Sequence, residues 1–295
     1  MTTILVSGAT GHAGRFIAEA FLAAGDEVAA LSRTPPPDGL FSAPVRWMPG
    51  SLDPDADHDA VFEGVDVFVH CAFAHVPGRY RGGEGDDPQG FVRANRDGTL
   101  ALMTAAKRAG LSRALFLSSR AVYGPKPPGT VLVETMACAP DTLYGETKLA
   151  VETALADMAD ERFLPVSIRA TGVYGPAGPG RAHKWAGLFG AFATGEEIAP
   201  RVGTEVHGDD LAGAVRLLAT MPALDLVRFG PAPVFNVSDI ALDRRDLLAA
   251  YARRAGVDKT LPPRADAAAF NAMDCARLKA LGWAPRGALD LSGMV

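Results

Sequence analysis

Thr3-Ile4-Leu5-Val6-Ser7-Gly8-Ala9-Thr10-Gly11-His12-Ala13-Gly14 is the stretch that decides the architecture. Its first five residues are largely apolar or β-branched, as suits a strand buried on both faces. Glycine ends that run. Ala13, Phe16, Ile17, Ala20, Phe21 and Ala24 then recur at the spacing of one helical face, and Gly25 supplies a stop. A strand, a glycine loop and a helix in that order leave free N–H groups and the positive end of a helix dipole at the loop. Glycines there allow a tight turn, close approach of backbone to phosphate, and close packing of the helix on the strand. Gly8, Thr10, Gly11, His12, Ala13 and Gly14 are therefore the expected seat of a dinucleotide diphosphate, with His12 contributing through its backbone. The spacing is G-x-x-G-x-x-G, not the commoner G-x-G-x-x-G.

The pattern continues outward. Residues 27–31, 45–48, 65–71, 114–118 and 165–170 are short apolar runs, the third interrupted by Asp66 and His70. Residues 95–109 and 142–159 carry helical spacing. Strands alternating with helices imply right-handed crossovers and an α/β fold, a Rossmann-type doubly wound parallel sheet. Residues 1–170 form the expected dinucleotide-binding domain, with 202–238 returning to it. Residues 171–201 and 239–295, where Gly and Pro are frequent and strand signals weak, form a smaller C-terminal substrate-binding part. Val-Tyr-Gly-Pro occurs at 122–125 and again at 173–176, which predicts two similar strand exits in one sheet.

After the second strand stand Ser32 and Arg33, with no acid. A carboxylate at this point favours NAD, while arginine accommodates the extra phosphate of NADP. The expected cofactor is NADP, with NAD as the alternative. Tyr144 and Lys148, four apart on one helix, share a face. Bringing a phenol from about 10 to about 7 needs about 4 kcal/mol of preference for phenolate, and a nearby ammonium acts in that direction. Ser119, just beyond the 114–118 strand, is placed to hydrogen-bond a substrate oxygen.

Composition bounds the rest. The chain has 295 residues, 48% hydrophobic, with net charge −5 and pI near 5.7. The acidic balance argues against a nucleic-acid partner. No window approaches the ~20 apolar residues of a membrane span, and the first residues lack the basic lead and apolar run of a signal peptide. Cys71, Cys138 and Cys275 suggest neither a disulfide framework nor a metal site, and predict buried thiols in a cytoplasmic protein.

Taken together, these motifs resemble the extended short-chain dehydrogenase/reductase superfamily, the NAD-dependent epimerase/dehydratase family. The likeness runs through residues 8–14, His70-Cys71-Ala72-Phe73-Ala74, Asn95, residues 118–124, 144–148 and 169–176, Val206-His207-Gly208-Asp209-Asp210-Leu211, and Leu281-Gly282-Trp283. The resemblance implies a catalytic set of Ser119, Tyr144 and Lys148. It makes Asn95 a helix-bending residue near the cofactor and has Ala72, Phe73 and Ala74 line it. Leu52, after Ser51, would touch the adenine, and Thr171, Gly172 and Val173 would lie by the nicotinamide. Three departures bear on substrate. Ser119-Arg120-Ala121 lacks the acid pair of the dehydratases. Gly172 and Gly203 stand where nucleotide-sugar epimerases carry Asn and Arg.

The resulting expectation is an oxidoreductase moving a hydride to or from a small carbonyl or alcohol, sugar-derived or anionic. The alternatives are a nucleotide-sugar epimerase using transient hydride transfer and a non-catalytic dinucleotide sensor. Arg79 and Arg81, or Arg181, His183 and Lys184, are candidate grips for an anion or simply solvated loop residues. Asp209 and Asp210 suggest an N-cap pair, and Trp283 a core residue. Leu100, Leu102, Met103, Leu149, Val151 and Leu155 spread over more than one helix face. With the resemblance, this predicts a homodimer built on the two helices.

Overall fold

The computed structural model describes residues 1–76 and 82–295; Arg79 and Arg81 lie outside the described residues. Strand β1 (Thr3–Ser7) leads through the glycine loop into helix α1 (His12–Ala23), followed by β2 (Glu27–Ser32), β3 (Arg46–Pro49) and β4 (Val67–His70). After α2 (Pro88–Val92) come a π-helical turn (Arg93–Gly98), α3 (Thr99–Arg108), β5 (Arg113–Ser119), α4 (Leu143–Met158) and β6 (Leu164–Ala170). The large sheet has seven strands, in the order β3-β2-β1-β4-β5-β6-β9, with β9 being Val234–Val237. Every pairing in it is parallel. Strand order reverses between β1 and β4, so the crevice at their C-terminal ends is where this topology places a ligand.

Each strand feeds both faces, which explains its continuous apolar reading. On one face Ile4 and Val6 pack with Phe16, Ile17 and Phe21 of α1 and with Leu211, Val215 and Leu218 of a later helix. On the other Leu5, Phe68 and Phe116 meet Leu102, Met103, Val151 and Leu155 of α3 and α4. Each such side chain, fully buried, contributes about 1.5–3 kcal/mol.

The smaller part is built from β7 (Gly172–Tyr174), α5 (Ala186–Thr194), β8 (Val202–His207), β10 (Ile240–Asp243) and α8 (Arg244–Ala255). A sheet in the order β10-β8-β7 covers its own core of Tyr174, Trp185, Phe189, Phe192, Leu247, Leu248, Leu291 and Met294. Between β8 and β9 run α6 (Gly208–Thr220) and α7 (Ala223–Val227). Helix α6 packs on the large sheet and β9 joins it beside β6, while β8, also within 202–238, pairs with β7 and β10 in the small sheet.

Four local expectations are corrected. The helix expected over 95–109 is preceded by α2, which Pro88 starts and Asp87 caps through Gly90 N–H at 2.8 Å. A π turn then hides its period. The two Val-Tyr-Gly-Pro strings lie in different settings, one in a 3-10 turn after β5 and one leaving β7 in the small sheet. The cap of α6 is His207, whose Nδ1 accepts from Asp209 N–H at 3.1 Å; Asp209 and Asp210 fill the first turn and bind Arg286. Of the three thiols only Cys275 is buried, Cys71 and Cys138 being partly so, and all three are free. Trp283 is a core residue, donating its indole N–H to Asp210 O at 2.9 Å. Among the described residues no helix is long and apolar enough to cross a membrane.

Candidate active site

The glycine loop is shaped by contacts that only glycine tolerates. Gly8 has a φ of +69°, and a Cβ there would lie 2.7 Å from Ala72 N, against the backbone leaving β4. A Cβ on Gly14 would fall 2.2 Å from Gly8 O, so the helix can lie on the loop only without one. Gly11 is the N-cap of α1, and no side chain caps that helix. Its first-turn N–H groups therefore face the crevice, as anion binding at a helix N-terminus requires. The residues present fit a dinucleotide diphosphate. Thr10 and Ala13 sit in this loop as expected. The His12 ring lies edge-on to Phe16, and its Nε2 is buried without a hydrogen-bond partner among the described residues. Burial, then the charges of Arg15, Lys184, His207 and Arg181, pull His12 down to about 4.

Ser32 ends β2, its hydroxyl donating to Thr34 O at 2.7 Å, and Arg33 follows, exposed. Leu52 is half-buried, its carbonyl backed against Gly98 so closely that a Cβ on Gly98 would lie 2.2 Å from it.

Between β1 and β4 runs a buried polar chain. Thr99 Oγ1 donates to Asn95 O at 2.7 Å, so it accepts from His70 Nε2 at 2.9 Å. His70 Nδ1 then accepts from Ser7 Oγ at 2.8 Å. Ser7 Oγ in turn accepts from the N–H groups of Cys71 and Ala72 at 3.2 and 3.3 Å. Burial, with the Lys148 charge adding to it, holds His70 down at about 3 and therefore neutral, consistent with this tautomer. Asn95, 1% exposed, accepts from Ala74 N–H and donates to Ala74 O, both at 2.7 Å, and donates to Phe91 O at 2.9 Å. Its amide is thus fully occupied in bracing the Ala72–Ala74 backbone across the π turn.

Ser119 ends β5, and its hydroxyl accepts from Ala121 N–H at 3.2 Å. Thr142 caps α4 by accepting from Gly145 N–H at 3.1 Å, which sets Tyr144 in the first turn. A Cβ on Gly145 would come within 2.8 Å of Ala121 O, so α4 packs directly on the turn that follows Ser119. Lys148, 4% exposed, donates to Leu117 O of β5 at 2.7 Å. Its Nζ lies 4.5 Å from the Phe73 ring centre and 4.6 Å from that of Phe116. Phe73 also meets Tyr144 edge-on at 4.9 Å. The fold thus gathers Ser119, Tyr144, Lys148 and Phe73 at the C-terminal ends of β4 and β5. Burial pushes Lys148 down to about 7 and Cys71 up to about 12. The ammonium expected to favour phenolate is therefore only partly charged near neutrality in the ligand-free protein.

Sequence reasoning missed two supports of this site. Glu152, one turn beyond Lys148, is buried with Arg169, pairing at 2.7 Å and accepting from Ser118 Oγ. Burial opposes the Arg169 charge, but Glu152 outweighs it and holds the guanidinium above its ordinary value. The pair ties α4 to β5 and β6. Lys184 and Glu205 form the second support, an ion pair over Gly172. A Cβ on Gly172 would lie 2.4 Å from Lys184 Nζ and 2.5 Å from Glu205 Oε2. Lys184 stands among the candidate anion grips and Arg169 in the 169–176 stretch, but neither pairing is marked in sequence, since the partners of each lie far apart along the chain. Thr171 is pinned by its hydroxyl to Thr204 O at 2.6 Å, and Val173 packs partly against the main core.

Residues 4–228 match the model of the NAD dependent epimerase/dehydratase family. The chain belongs to this family. Among relatives, it is 37% identical over 114 residues to UDP-glucose 4-epimerase of Rhizobium leguminosarum bv. trifolii, covering 38% of this chain and 35% of that protein. It is 28% identical over 178 residues to the human sterol-4-alpha-carboxylate 3-dehydrogenase, decarboxylating, covering 59% of this chain and 45% of that one. The matches span between a third and a half of these relatives' lengths. Among solved structures, MoeE5 in complex with UDP-glucose and NAD superposes with a TM-score of 0.78 at 25% identity, over 99% of this chain and 96% of that one. The complex of Thermus thermophilus UDP-glucose 4-epimerase with NAD gives 0.75 at 26%, over 97% and 94%. The chain thus shares the α/β fold of these proteins, and the candidate residues Ser119, Tyr144, Lys148 and Phe73 stand at the C-terminal ends of its central strands β4 and β5.

Proposed function

We propose that this protein is an NAD(P)-dependent oxidoreductase that moves a hydride to or from a small carbonyl or alcohol. The observation that carries this is the gathering of Tyr144, Lys148 and Ser119 about the C-terminal end of β5, in the same sheet as β1, whose glycine loop leads into the uncapped N-terminus of α1. When bound, the nicotinamide supplies or takes the hydride. The rest falls to the chain itself. Ser119 orients the substrate oxygen, Tyr144 moves a proton to or from it, and Lys148 lowers the cost of the phenolate. Gly8, Thr10, Gly11, His12, Ala13 and Gly14 hold the diphosphate. Ala72, Phe73 and Ala74, braced by Asn95, line one wall, and Thr171, Gly172 and Val173 the other. Leu52 borders the adenine. Ser32 and Arg33, with no acid beside them, favour NADP over NAD. The three free thiols suit a reducing cytoplasm.

The second reading is a nucleotide-sugar epimerase, favoured by the UDP-glucose 4-epimerases among the relatives and solved structures. Against it stands Gly172, where the Lys184–Glu205 pair fills the space an asparagine side chain would need. Turnover of carbonyl and sugar substrates with NADPH and NADH decides between them. Net oxidation of the cofactor supports the oxidoreductase. Inversion of a sugar centre with no net cofactor change replaces it with the epimerase. Tighter binding of NADH than NADPH would overturn the role of Arg33.

A further inference from the structure

The segment that leaves β7 does not stay with the small sheet; it crosses the glycine loop and is tied there by two arginines in opposite senses. Arg15, on α1, donates from Nη2 to Pro176 O at 2.6 Å. Arg181, on the crossing segment, donates from Nη1 to Thr10 O at 2.6 Å. Between them Gly178 lies against α1 and the loop after β2, its Cβ position 3.2 Å from Leu40 Cδ1 and 3.4 Å from the Arg15 side chain.

Arg15 lies over the Phe16 ring, 4.5 Å from its centre, but no acid meets the charge of either arginine among the described residues. The neighbouring Lys184, by contrast, is paired with Glu205. Arg15 has its Nε buried without a partner. Arg181 is exposed, and among the described residues its hydrogen bond goes to a neutral carbonyl, leaving most of its five donors over. That carbonyl belongs to the loop whose helix-terminal N–H groups are uncapped. A guanidinium held within one hydrogen bond of an uncapped glycine loop, with no acid to satisfy it, is the arrangement a phosphate ligand needs before the phosphate arrives.

We infer that Arg181 is a ligand of the dinucleotide's diphosphate, with the Thr10 carbonyl as its resting partner. Arg15 is the positioning residue that holds the crossing segment in reach by its bond to Pro176. This rests on the reading of the glycine loop as a dinucleotide site. A guanidinium–phosphate bond joins opposite charges and can be two-pronged, where the bond to the Thr10 carbonyl has one neutral acceptor, so the exchange from Thr10 O to phosphate is downhill. The segment then closes over the bound diphosphate without any new fold being formed.

The test is calorimetric titration of the full chain with NAD⁺, NADP⁺ and adenosine 2′-monophosphate, for the wild type, Arg181→Ala and Arg181→Lys. Because the Arg181 side chain is exposed, thermal unfolding should be unchanged and confirms that the variants fold. Losing a charged hydrogen bond weakens binding roughly 10-fold or more. Arg181→Ala should therefore lose about that factor for both dinucleotides, with a shallower salt dependence, and none for adenosine 2′-monophosphate. Arg181→Lys, keeping the charge, should recover part of it. Equal affinity of wild type and Arg181→Ala for both dinucleotides overturns the assignment. So does a loss confined to NADP⁺ and adenosine 2′-monophosphate, which moves Arg181 to the ribose phosphate. A wild type that binds neither dinucleotide overturns the cofactor reading itself, a different result from one in which only Arg181 proves silent.

Discussion

Lys148 carries the clearest consequence at the scale of a single residue. Burial between Phe73, Phe116 and β5 pushes its ammonium from 10.5 down to about 7. The folded ligand-free protein therefore releases this proton while the unfolded chain still holds it. Over the window from about pH 7 to the ordinary lysine value the unfolded state binds more protons, so stability rises with pH. Denaturant melts of the ligand-free protein should show that rise, and Lys148→Met should flatten it while remaining at least as stable at pH 7. A slope unchanged in Lys148→Met would mean that another group titrates there. The Tyr144–Lys148 pairing was legible in the sequence because four-residue spacing is a local property of a helix. The depressed lysine was not. It depends on Phe73 and Phe116, which arrive from β4 and β5. His70 was hidden for the same reason: in the one-dimensional pattern it interrupts an apolar strand, while in three dimensions Ser7 and Thr99 satisfy both ring nitrogens.

At the scale of elements, strands β1, β2, β4, β5 and β6 were readable almost to the residue, since parallel strands buried on both faces are short, dense apolar runs. The segment from 88 to 98 was not. Gly90 and Gly98 lower helix propensity, and a π turn breaks the 3.6-residue period on which helical reading depends. That break is what turns Asn95 inward to Ala74. Asn95→Ala removes three hydrogen bonds and leaves the Ala74 and Phe91 backbone groups unpaired, each costing about 1–3 kcal/mol if it stays dry. The variant should unfold at clearly lower denaturant and bind the dinucleotide more weakly, because the wall of residues 72–74 loses its brace. Wild-type affinity with lowered stability would separate Asn95 from the cofactor. Equal stability would show that water replaces it.

Across the whole molecule, the expected second-subunit contact changes its footing. Leu102, Met103, Val151 and Leu155 are consumed by the protomer's own core. Leu100 and Leu149 remain partly exposed. We propose a two-fold dimer with α3 and α4 facing their copies, as family resemblance suggests. Light scattering should give twice the mass of the chain at micromolar concentration, and Leu100→Glu with Leu149→Glu should give a monomer. A wild-type monomer would contradict the dimer.

The large sheet sets β1, which leads into the glycine loop, next to β4, and β4 next to β5, on which the helix beginning beyond residue 140 packs. In the proposed function Tyr144 is the group that moves the proton. Tyr144→Phe keeps the ring against Phe73 and removes only the hydroxyl, so folding and cofactor affinity should survive. Proton transfer by a placed side chain is worth roughly 10²–10⁴ in rate. The deciding measurement is the single-turnover change in nicotinamide absorbance, on a substrate that the wild type turns over, for wild type and Tyr144→Phe loaded equally with cofactor. The rate should fall by at least about 10²-fold with binding unchanged; a Tyr144→Phe protein that transfers hydride at the wild-type rate would contradict the account.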